Sequence, residues 1–307
     1  MIGIKQIASY VPAGRIDNIA RAESLGSTPE QVSERIGFRQ LARMESGQGT
    51  LDLAAQALAQ LLHDTGLDPQ AIDALVVVSQ NPDRSIPHLS AELHGRAGLS
   101  TSCACFDLGL GCSGYVYGLS VLAAFMQANG MKRGVLVTAD PYSRIVDPED
   151  KATALIFGDA ATATLLDDTP LYTMGRFTFG TQGGDADKIA SNDGVLFMNG
   201  RAVFNFAATK VSANIRETVT ANALEMHHID RFVLHQGSRY IVETIADRLQ
   251  VDRRKVPFMA SEYGNTVSSS IPLMLTEMMP APGHERILLC GFGLGLSWAS
   301  TVIQRKE

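Results

Sequence analysis

The sequence predicts an α/β protein built from two similar halves, and two observations support this prediction. Short apolar runs rich in β-branched residues alternate with helical stretches, which is typical of parallel strands covered on both faces. The order of these signals in the first half also recurs in the second half. We therefore expect a duplicated pair of halves, residues 1–165 and 166–307, packed as one unit.

The elements can be assigned in order from their patterns. After a first strand at the N-terminus, we predict helices over 50–66, 115–128, 207–226 and 271–279, and strands over 72–80, 134–138, 229–236, 286–290 and 297–303. Early in the second half, residues 180–200 form either a mobile flap or an ordinary surface loop.

Three pairs of segments carry the repeat. They are residues 72–80 with 229–236, Gly111-Cys112 with Gly264-Asn265, and residues 134–138 with 286–290, at offsets of 157, 153 and 152 residues. The first pair shares Ile-Asp, an apolar run and a final Gln, the second opens apolar helices, and the third consists of buried strands. Chance resemblance between strand–helix units is the alternative. However, the three pairs occur in the same order and their offsets differ by only about five residues, which favours duplication.

The composition excludes several classes of protein. The chain has 307 residues, 45% of them hydrophobic, and a formal net charge of −6, which argues against nucleic acid as a general partner. It has neither a long apolar run nor a signal-peptide pattern, so we expect no membrane span and a cytoplasmic location. Its four cysteines do not form a disulfide framework, and Cys103 and Cys105 lack the second ligand pair that zinc requires. We therefore expect no metal site.

The repeat places three reactive side chains at related positions. Cys112 and Asn265 fall in the first turn of a helix in each half, and His235 follows a strand. Ligands of such folds collect where strands end and helices begin, so a pseudo-two-fold axis brings the three into one pocket. A thiol at a helix N-terminus is favoured as thiolate, which makes Cys112 a candidate nucleophile. The alternatives are inert packing for Cys112 and a helix N-cap for Asn265.

A glycine-rich segment, residues 291–298, follows the last buried strand. It superficially matches a phosphate-binding loop, but the run that follows it is strand-like, whereas dinucleotide sites require a helix there. Its backbone N–H groups are instead suited to an oxyanion hole.

These segments resemble the β-ketoacyl-acyl carrier protein synthase III family of thiolase-fold enzymes over essentially the whole chain. The matching segments are residues 106–114, 157–160, 198–200 with Phe204, His235-Gln236, 263–266, 269–272 and the glycine-rich segment with Trp298. The resemblance implies a thiolase fold, in which two halves with mixed five-stranded sheets form α-β-α-β-α layers.

The resemblance also implies a two-stage acyl transfer. Cys112 attacks an acyl-CoA thioester, and the backbone N–H groups of Cys112 and Leu294 bind the oxyanion. His235 and Asn265 then stabilise the enolate formed when malonyl-acyl carrier protein loses carbon dioxide, and the enolate takes the acyl group. CoA thioesters are substrates in this scheme, and no cofactor is needed.

The family pattern places six residues in substrate binding: Gln31, Arg35, Ile86, Lys151, Phe204 and Ser238. Four of them depart from the family. Gln31 replaces a tryptophan that stacks on the CoA adenine, Lys151 replaces an arginine, and Ser238 replaces an asparagine. The changes at Gln31 and Lys151 imply weaker CoA binding or a carrier-protein donor. The change at Ser238 implies a retuned site that keeps its activity. Ile86 replaces a larger aromatic residue at the acyl pocket, which favours longer or substituted acyl groups.

Arginines near His235 form a candidate docking surface for an acidic carrier protein. They are Arg239, Arg248, Arg253 and Arg254. A lysine and an arginine of the family pattern are replaced at Asn205 and Tyr240, and a solvated helix face is the alternative interpretation. The family further implies a homodimer.

Two other functions remain open from the sequence. The first is acyl transfer from Cys112 to an alcohol or amine, and the second is a non-catalytic acyl-binding subunit, although such subunits usually lose the cysteine. A thiolase needs a second cysteine within the glycine-rich segment, and Cys290 lies just before it.

Overall fold

The structure is a computed structural model that describes residues 1–306, apart from the side chain of Asn192. The strands are β1 (Gly3–Tyr10), β2 (Gly14–Asp17), β3 (Gln40–Arg43), β4 (Ala74–Val78), β5 (Ala104–Leu108), β6 (Arg133–Ala139), β7 (Ala161–Asp167), β8 (Tyr172–Thr181), β9 (Ile189–Asn192), β10 (Val195–Met198), β11 (Arg231–Leu234), β12 (Arg286–Gly293) and β13 (Ser297–Arg305). The helices are α1 (Pro29–Gln31), α2 (Thr50–Thr65), α3 (Leu89–Ala97), α4 (Gly114–Ala128), α5 (Gly200–Phe206), α6 (Ser212–Ala221), α7 (Arg239–Leu249) and α8 (Ser270–Met278). A π-helical turn, Val32–Ile36, extends α1, and another, Ala207–Val211, joins α5 to α6.

The two halves have the same strand order. Nine strands form one sheet in the order β11-β12-β13-β8-β1-β7-β6-β4-β5. In the first half β4 is parallel to β5 and β6, while β6, β7 and β1 are successively antiparallel. In the second half β11 is parallel to β12, and β12, β13 and β8 are successively antiparallel. The shared order and directions agree with the repeat in the sequence. The predicted boundary at residue 165 falls within β7, and this division of the chain remains a prediction.

The halves meet where β1 pairs with β8 at two residue positions. Helices α4 and α8 lie between the two parts of the sheet, because their apolar side chains share one core with strands of both halves. Both helices are apolar on nearly all sides, as a helix covered on both faces must be. Helices α2 and α3 cover the outer face of the first half, and α6 and α7 that of the second. The predicted α-β-α-β-α layering is therefore present.

The second half contributes four strands rather than the predicted five. The segment that corresponds to β5 contains Pro257, which has no N–H to donate to a strand ladder. The side-chain amide of Gln236 holds this segment instead. It accepts a hydrogen bond from the N–H of Met259 at 2.9 Å and lies 3.4 Å from the carbonyl oxygen of Pro257. One side chain thus replaces a row of backbone hydrogen bonds.

None of the helices within residues 1–306 combines the length and the apolar character that a membrane crossing requires.

Candidate active site

The three predicted reactive residues line one cavity of about 830 Å³. Cys112, His235 and Asn265 are each buried. Leu294 also lines the cavity, as do five of the six residues expected to bind substrate: Gln31, Arg35, Lys151, Phe204 and Ser238. Ile86 is the exception, because its side chain is 85% exposed and does not line this cavity. It lies in the loop between β4 and α3, away from this cavity in the described chain, and its place at the acyl pocket remains a prediction.

Cys112 lies immediately before the N-cap residue of α4. Its thiol packs tightly against Gly293, where an added Cβ would lie 2.8 Å from the Cys112 Sγ. Burial raises the pKa of the Cys112 thiol, and the nearby Asp140 carboxylate raises this pKa further. Hydrogen bonds from the backbone N–H groups of Cys112 and Leu294 lower the pKa by less. The expectation that the helix N-terminus favours a thiolate is therefore wrong for the resting site, because burial is the larger effect.

His235 follows β11 and is held at both its backbone and its ring. Its backbone N–H donates to the carbonyl of Cys290 at 2.9 Å, and Nδ1 lies 2.8 Å from the Ser270 Oγ. The ring meets the Phe292 ring edge-on, with 5.4 Å between centroids. Burial lowers the pKa of His235 to about 3, partly offset by a backbone hydrogen bond at Val267. The imidazole is thus neutral at physiological pH and can act as an uncharged hydrogen-bond donor.

Asn265 is positioned by its own backbone. Its N–H donates to the Ile156 carbonyl at 2.8 Å, and its carbonyl accepts from the Gly158 N–H at 3.0 Å. The side-chain oxygen accepts the Val267 N–H at 2.9 Å, while Nδ2 lies 3.4 Å from Nε2 of His235. Asn265 thus closes a short turn before the 3₁₀ turn Val267–Ser269, whose N-cap is Thr266, and it does not cap α8, whose N-cap is Ser269.

Gly158, in the matching motif 157–160, lies where the loop that carries Asn265 crosses this segment. A Cβ at Gly158 would lie 1.8 Å from the carbonyl oxygen of Tyr263. The loop that carries Asn265 can approach this segment only because residue 158 has no side chain.

Asp140 is a buried carboxylate that the sequence interpretation missed. It follows β6 and accepts hydrogen bonds from the Gln80 N–H at 2.6 Å and from the Ser268 hydroxyl. Burial raises its pKa to about 6, against these hydrogen bonds. It thereby ties the end of β4 to the loop that carries Asn265. Asp140 could have been found from the sequence, because it is a polar residue directly after a buried strand, as is His235.

The mouth of the cavity is lined by cations and aromatic rings. Arg35, Lys151 and Arg201 line it, and none of its lining residues in the described chain is acidic. Tyr240 stacks on Phe204 with 5.1 Å between ring centroids, and the Arg35 guanidinium lies 5.2 Å from the Tyr240 centroid. Arg201 was not among the residues that the sequence predicted to bind substrate. Such a mouth is suited to an extended molecule that carries phosphate.

Two of the residues that depart from the family pattern have local structural roles. Gln31 forms a capping box with Thr28 at the start of α1. Ser238 is the N-cap of α7 and accepts a hydrogen bond from the N–H of Ile241 at 3.2 Å. Both side chains still reach the cavity.

The arginines of the candidate docking surface differ in their surroundings. Arg253 pairs with Asp247 and Glu243, and Arg254 with Asp252. The guanidinium of Arg239 lies over the ring of Phe258 at 4.7 Å. Arg248 is exposed and has no carboxylate partner within residues 1–306. Because exposed ion pairs are weak, the paired arginines can exchange partners at small cost, and the docking surface remains a prediction.

The segment predicted as a flap or loop, residues 180–200, contains a short helical turn and the β9–β10 hairpin. Ile189 and Leu196 of this hairpin pack into the same cluster as Cys112. The segment therefore forms a wall of the site.

No group of three or more His, Cys, Asp or Glu side chains within the described residues could hold a metal ion.

Two family models match the chain. The model described as 3-oxoacyl-[acyl-carrier-protein (ACP)] synthase III matches residues 106–183, and the model of its C-terminal part matches residues 219–305. A β-ketoacyl-[acyl-carrier-protein] synthase III of Lactococcus lactis subsp. cremoris (strain SK11) is 32% identical, with 98% of each chain covered. The enzyme of the same name from Streptococcus sanguinis (strain SK36) is also 32% identical, again over 98% of each chain. The solved structure of a β-ketoacyl-[acyl carrier protein] synthase III from Thermus thermophilus is 30% identical, covers 99% of each chain and superposes with a TM-score of 0.92.

Proposed function

The chain belongs to the β-ketoacyl-[acyl-carrier-protein] synthase III family of thiolase-fold condensing enzymes, and from this membership we propose that it joins an acyl group from acyl-CoA to a malonyl unit on acyl carrier protein. The observation that carries the proposal is the convergence of Cys112, His235 and Asn265 in one cavity. The product is a β-ketoacyl thioester.

In the first step the sulfur of Cys112 attacks the thioester carbonyl of the donor. A bond forms between this sulfur and the acyl carbon, the bond to the CoA sulfur breaks, and CoA leaves with the thiol proton. The backbone N–H groups of Cys112 and Leu294, which approach the sulfur in the resting site, bind the oxyanion of the tetrahedral intermediate. Because the resting group is a buried thiol, deprotonation accompanies the attack.

In the second step the malonyl thioester loses carbon dioxide. The electron pair of the broken carbon–carbon bond moves to the thioester oxygen, where the side chains of His235 and Asn265 donate hydrogen bonds. A neutral imidazole suits this role, because it can stabilise the enolate oxygen without transferring its own proton. The enolate carbon then attacks the carbonyl carbon of the acyl-enzyme, and the Cys112 sulfur leaves as a thiolate that takes up a proton from water, which restores the resting thiol.

Both substrates are phosphate-bearing thioesters, which supports their entry past the cationic mouth formed by Arg35, Lys151 and Arg201. With glutamine at position 31, the mouth has no tryptophan for an adenine ring, so an acyl-carrier donor is the alternative to acyl-CoA. The cytoplasmic location and the absence of a cofactor remain predictions.

We also propose that two copies form a homodimer. Strand β5 ends the sheet, pairs only with β4 among the described strands, and is partly exposed along its whole length. An open apolar edge of this kind promotes pairing with another strand. Pairing of β5 with its counterpart would continue the sheet through both protomers, and sedimentation of the purified protein measures the resulting mass.

Intact-protein mass spectrometry tests the catalytic proposal. The protein is incubated with a panel of acyl-CoA and acyl-carrier thioesters, and malonyl-acyl carrier protein is then added. We expect an acyl adduct that is absent in Cys112→Ala and that is converted into a β-ketoacyl product when the malonyl donor is added.

The same experiment separates the alternatives. An adduct that is transferred to an alcohol or amine but ignores the malonyl donor would replace condensation by simple acyl transfer. No adduct with any thioester would contradict the assignment of Cys112 as the nucleophile.

A further inference from the structure

Two buried serines connect the segments that carry the two oxyanion donors. The Oγ atom of Ser113, the residue after Cys112, lies 2.7 Å from the Oγ of Ser297, the first residue of β13. The Ser297 Oγ in turn lies 2.9 Å from the carbonyl oxygen of Leu294. The contacts therefore run from the residue after the nucleophile to the residue that supplies the second donor N–H.

The direction of these hydrogen bonds follows from the protons available. A serine hydroxyl donates one hydrogen bond, and the Leu294 carbonyl can only accept. The Ser297 hydroxyl therefore donates to Leu294, and the Ser113 hydroxyl donates to Ser297. The backbone N–H of Ser297 also donates to the Leu294 carbonyl. One residue thus holds this carbonyl with two of its groups.

The side chain of Ser113 does not take its usual local role. Ser113 occupies the N-cap position of α4, where a serine side chain commonly accepts a backbone N–H of the first turn. It forms no such hydrogen bond. Its hydroxyl is directed instead at a residue 184 positions away along the chain. Because the side chain does not stabilise the start of the helix, its contribution lies in the contact with β13.

The same two segments also touch along their backbones. A Cβ at Gly291 would lie 2.7 Å from the carbonyl oxygen of Cys112, and a Cβ at Gly293 would lie 2.7 Å from the Cys112 Cβ. Strand β12 is held against the nucleophile by this packing. Leu294 follows the strand in a short turn, in which Gly295 has a φ of 89°. The two hydrogen bonds from Ser297 hold the carbonyl of this turn.

Resting on the proposed function, we propose that Ser113 and Ser297 are positioning residues that act through Leu294. Their hydrogen bonds hold the Leu294 N–H where it can share one oxyanion with the N–H of Cys112. The charge on this oxygen develops only as the tetrahedral intermediate forms, so correctly placed donors stabilise the transition state more than the bound thioester. Acylation and condensation both pass through such an intermediate at the acyl carbon, and both therefore depend on the two serines.

Three variants and two reactions test this role. Ser297→Ala removes the hydroxyl between Ser113 and Leu294, and Ser113→Ala removes the first hydroxyl. Ser300→Ala is the matched control, because it removes another buried hydroxyl of β13, which is bonded to Asn214 at 2.6 Å and does not line the cavity.

Acylation of Cys112 is followed by intact mass over a range of thioester concentrations, with the thioester that acylates the wild type fastest. Alkylation of the same thiol by iodoacetamide is followed in parallel, with Cys112→Ala as the background. Alkylation displaces iodide and forms no oxyanion, so it reports on access to the thiol and on its ionisation. Urea unfolding of each variant measures its stability.

We expect Ser297→Ala to lower the maximal rate of acylation about 10–100-fold, which is less than the complete loss of an oxyanion donor costs. Ser113→Ala should lower it about 3–10-fold, the effect of one indirect hydrogen bond. The thioester concentration at half-maximal rate and the rate of alkylation should stay within about threefold of wild type, since neither depends on the oxyanion. The double variant should be no slower than Ser297→Ala, because Ser113 acts only through Ser297.

Equal losses of acylation and alkylation would overturn the inference, because the serines would then act on the thiol itself. Acylation of Ser297→Ala at the rate of Ser300→Ala would also overturn it. If Ser297→Ala does not fold, the comparison of Ser113→Ala with Ser300→Ala decides in the same way. Either of these results leaves the proposed condensing function intact, whereas no acylation of the wild type by any thioester would overturn both.

Discussion

The Oγ atom of Ser270 lies 2.8 Å from Nδ1 of His235, and both side chains are buried. If the hydroxyl donates to Nδ1, the ring proton is on Nε2, the nitrogen that lies 3.4 Å from the Asn265 amide. Only this tautomer allows His235 and Asn265 to donate to the same enolate oxygen. Ser270 is therefore a positioning residue that acts through His235.

Ser270→Ala should lower the rate of malonyl-dependent carbon dioxide release by roughly 10–100-fold, because the hydrogen bond that selects the tautomer is lost. Acylation of Cys112 should stay within about twofold of wild type, since it does not require this donor pair. The two rates are measured separately, by carbon dioxide release and by intact mass. Ser300→Ala, which removes a buried hydroxyl bonded to Asn214 at 2.6 Å outside the site, is the matched control. Equal losses in both half-reactions would show a general structural defect instead.

Gly293→Ala should slow acylation of Cys112 by on the order of 100-fold without unfolding the protein. The new Cβ would lie 2.8 Å from the Sγ of Cys112 and displace it. A displacement of about 1 Å of a reacting group costs on the order of 100-fold in rate. Gly109→Ala is the control, because a Cβ at Gly109 meets nothing within 4 Å. The adduct is followed by mass spectrometry and the fold by circular dichroism, and an active Gly293→Ala protein would contradict the tight packing of this glycine.

The raised pKa of the Cys112 thiol predicts how its alkylation depends on pH. Below its pKa the thiolate fraction increases tenfold per pH unit, so the rate with iodoacetamide should rise about tenfold per unit up to at least pH 9. The alkylation rate of Cys112→Ala gives the contribution of the other three cysteines, which is subtracted. A plateau below pH 8 would show that the helix N-terminus outweighs burial.

The lowered pKa of His235 predicts a loss of stability in acid. The ordinary pKa of histidine is 6.5, and in the folded protein that of His235 is about 3. Between these values the unfolded chain binds a proton that the folded chain excludes, so the contribution of this group to stability falls as the pH falls. In His235→Asn this contribution is absent, and the wild-type curve should be steeper by up to about 1.4 kcal/mol per pH unit.

Urea unfolding of the wild type and of His235→Asn between pH 4.5 and pH 6.5 measures how the free energy of unfolding of each protein depends on pH. Asp140, whose pKa is raised to about 6, acts in the opposite direction but is present in both proteins. Parallel curves for the wild type and the variant would show that His235 titrates normally in the folded state.

Arg248→Glu tests the docking surface. This side chain is exposed and unpaired in the described chain, so reversing its charge should raise the KM for malonyl-acyl carrier protein about 3–10-fold at low salt, and less at high salt. The KM for malonyl-CoA should not change. Lys132→Glu, an exposed charge reversal in the first half, is the control. If the two variants have the same KM for the carrier substrate, the docking partner lies elsewhere.

The sequence determined the features that depend on order and spacing along the chain. The repeat placed Cys112 and Asn265 at equivalent positions and His235 at a strand end, and the backbone rules for such sheets bring these positions together. The predicted helices and strands of the repeat are present for the same reason. Even the missing strand of the second half has a local cause, the absent N–H of Pro257.

Only the tertiary structure decided the properties that depend on surroundings distant in the chain. Burial and Asp140 reverse the expected direction of the pKa shift at Cys112, and the side chain of Ile86 is exposed rather than at the cavity. Desolvation and charge act through space, so a pattern read along the chain identifies the reactive groups but not the medium in which they react.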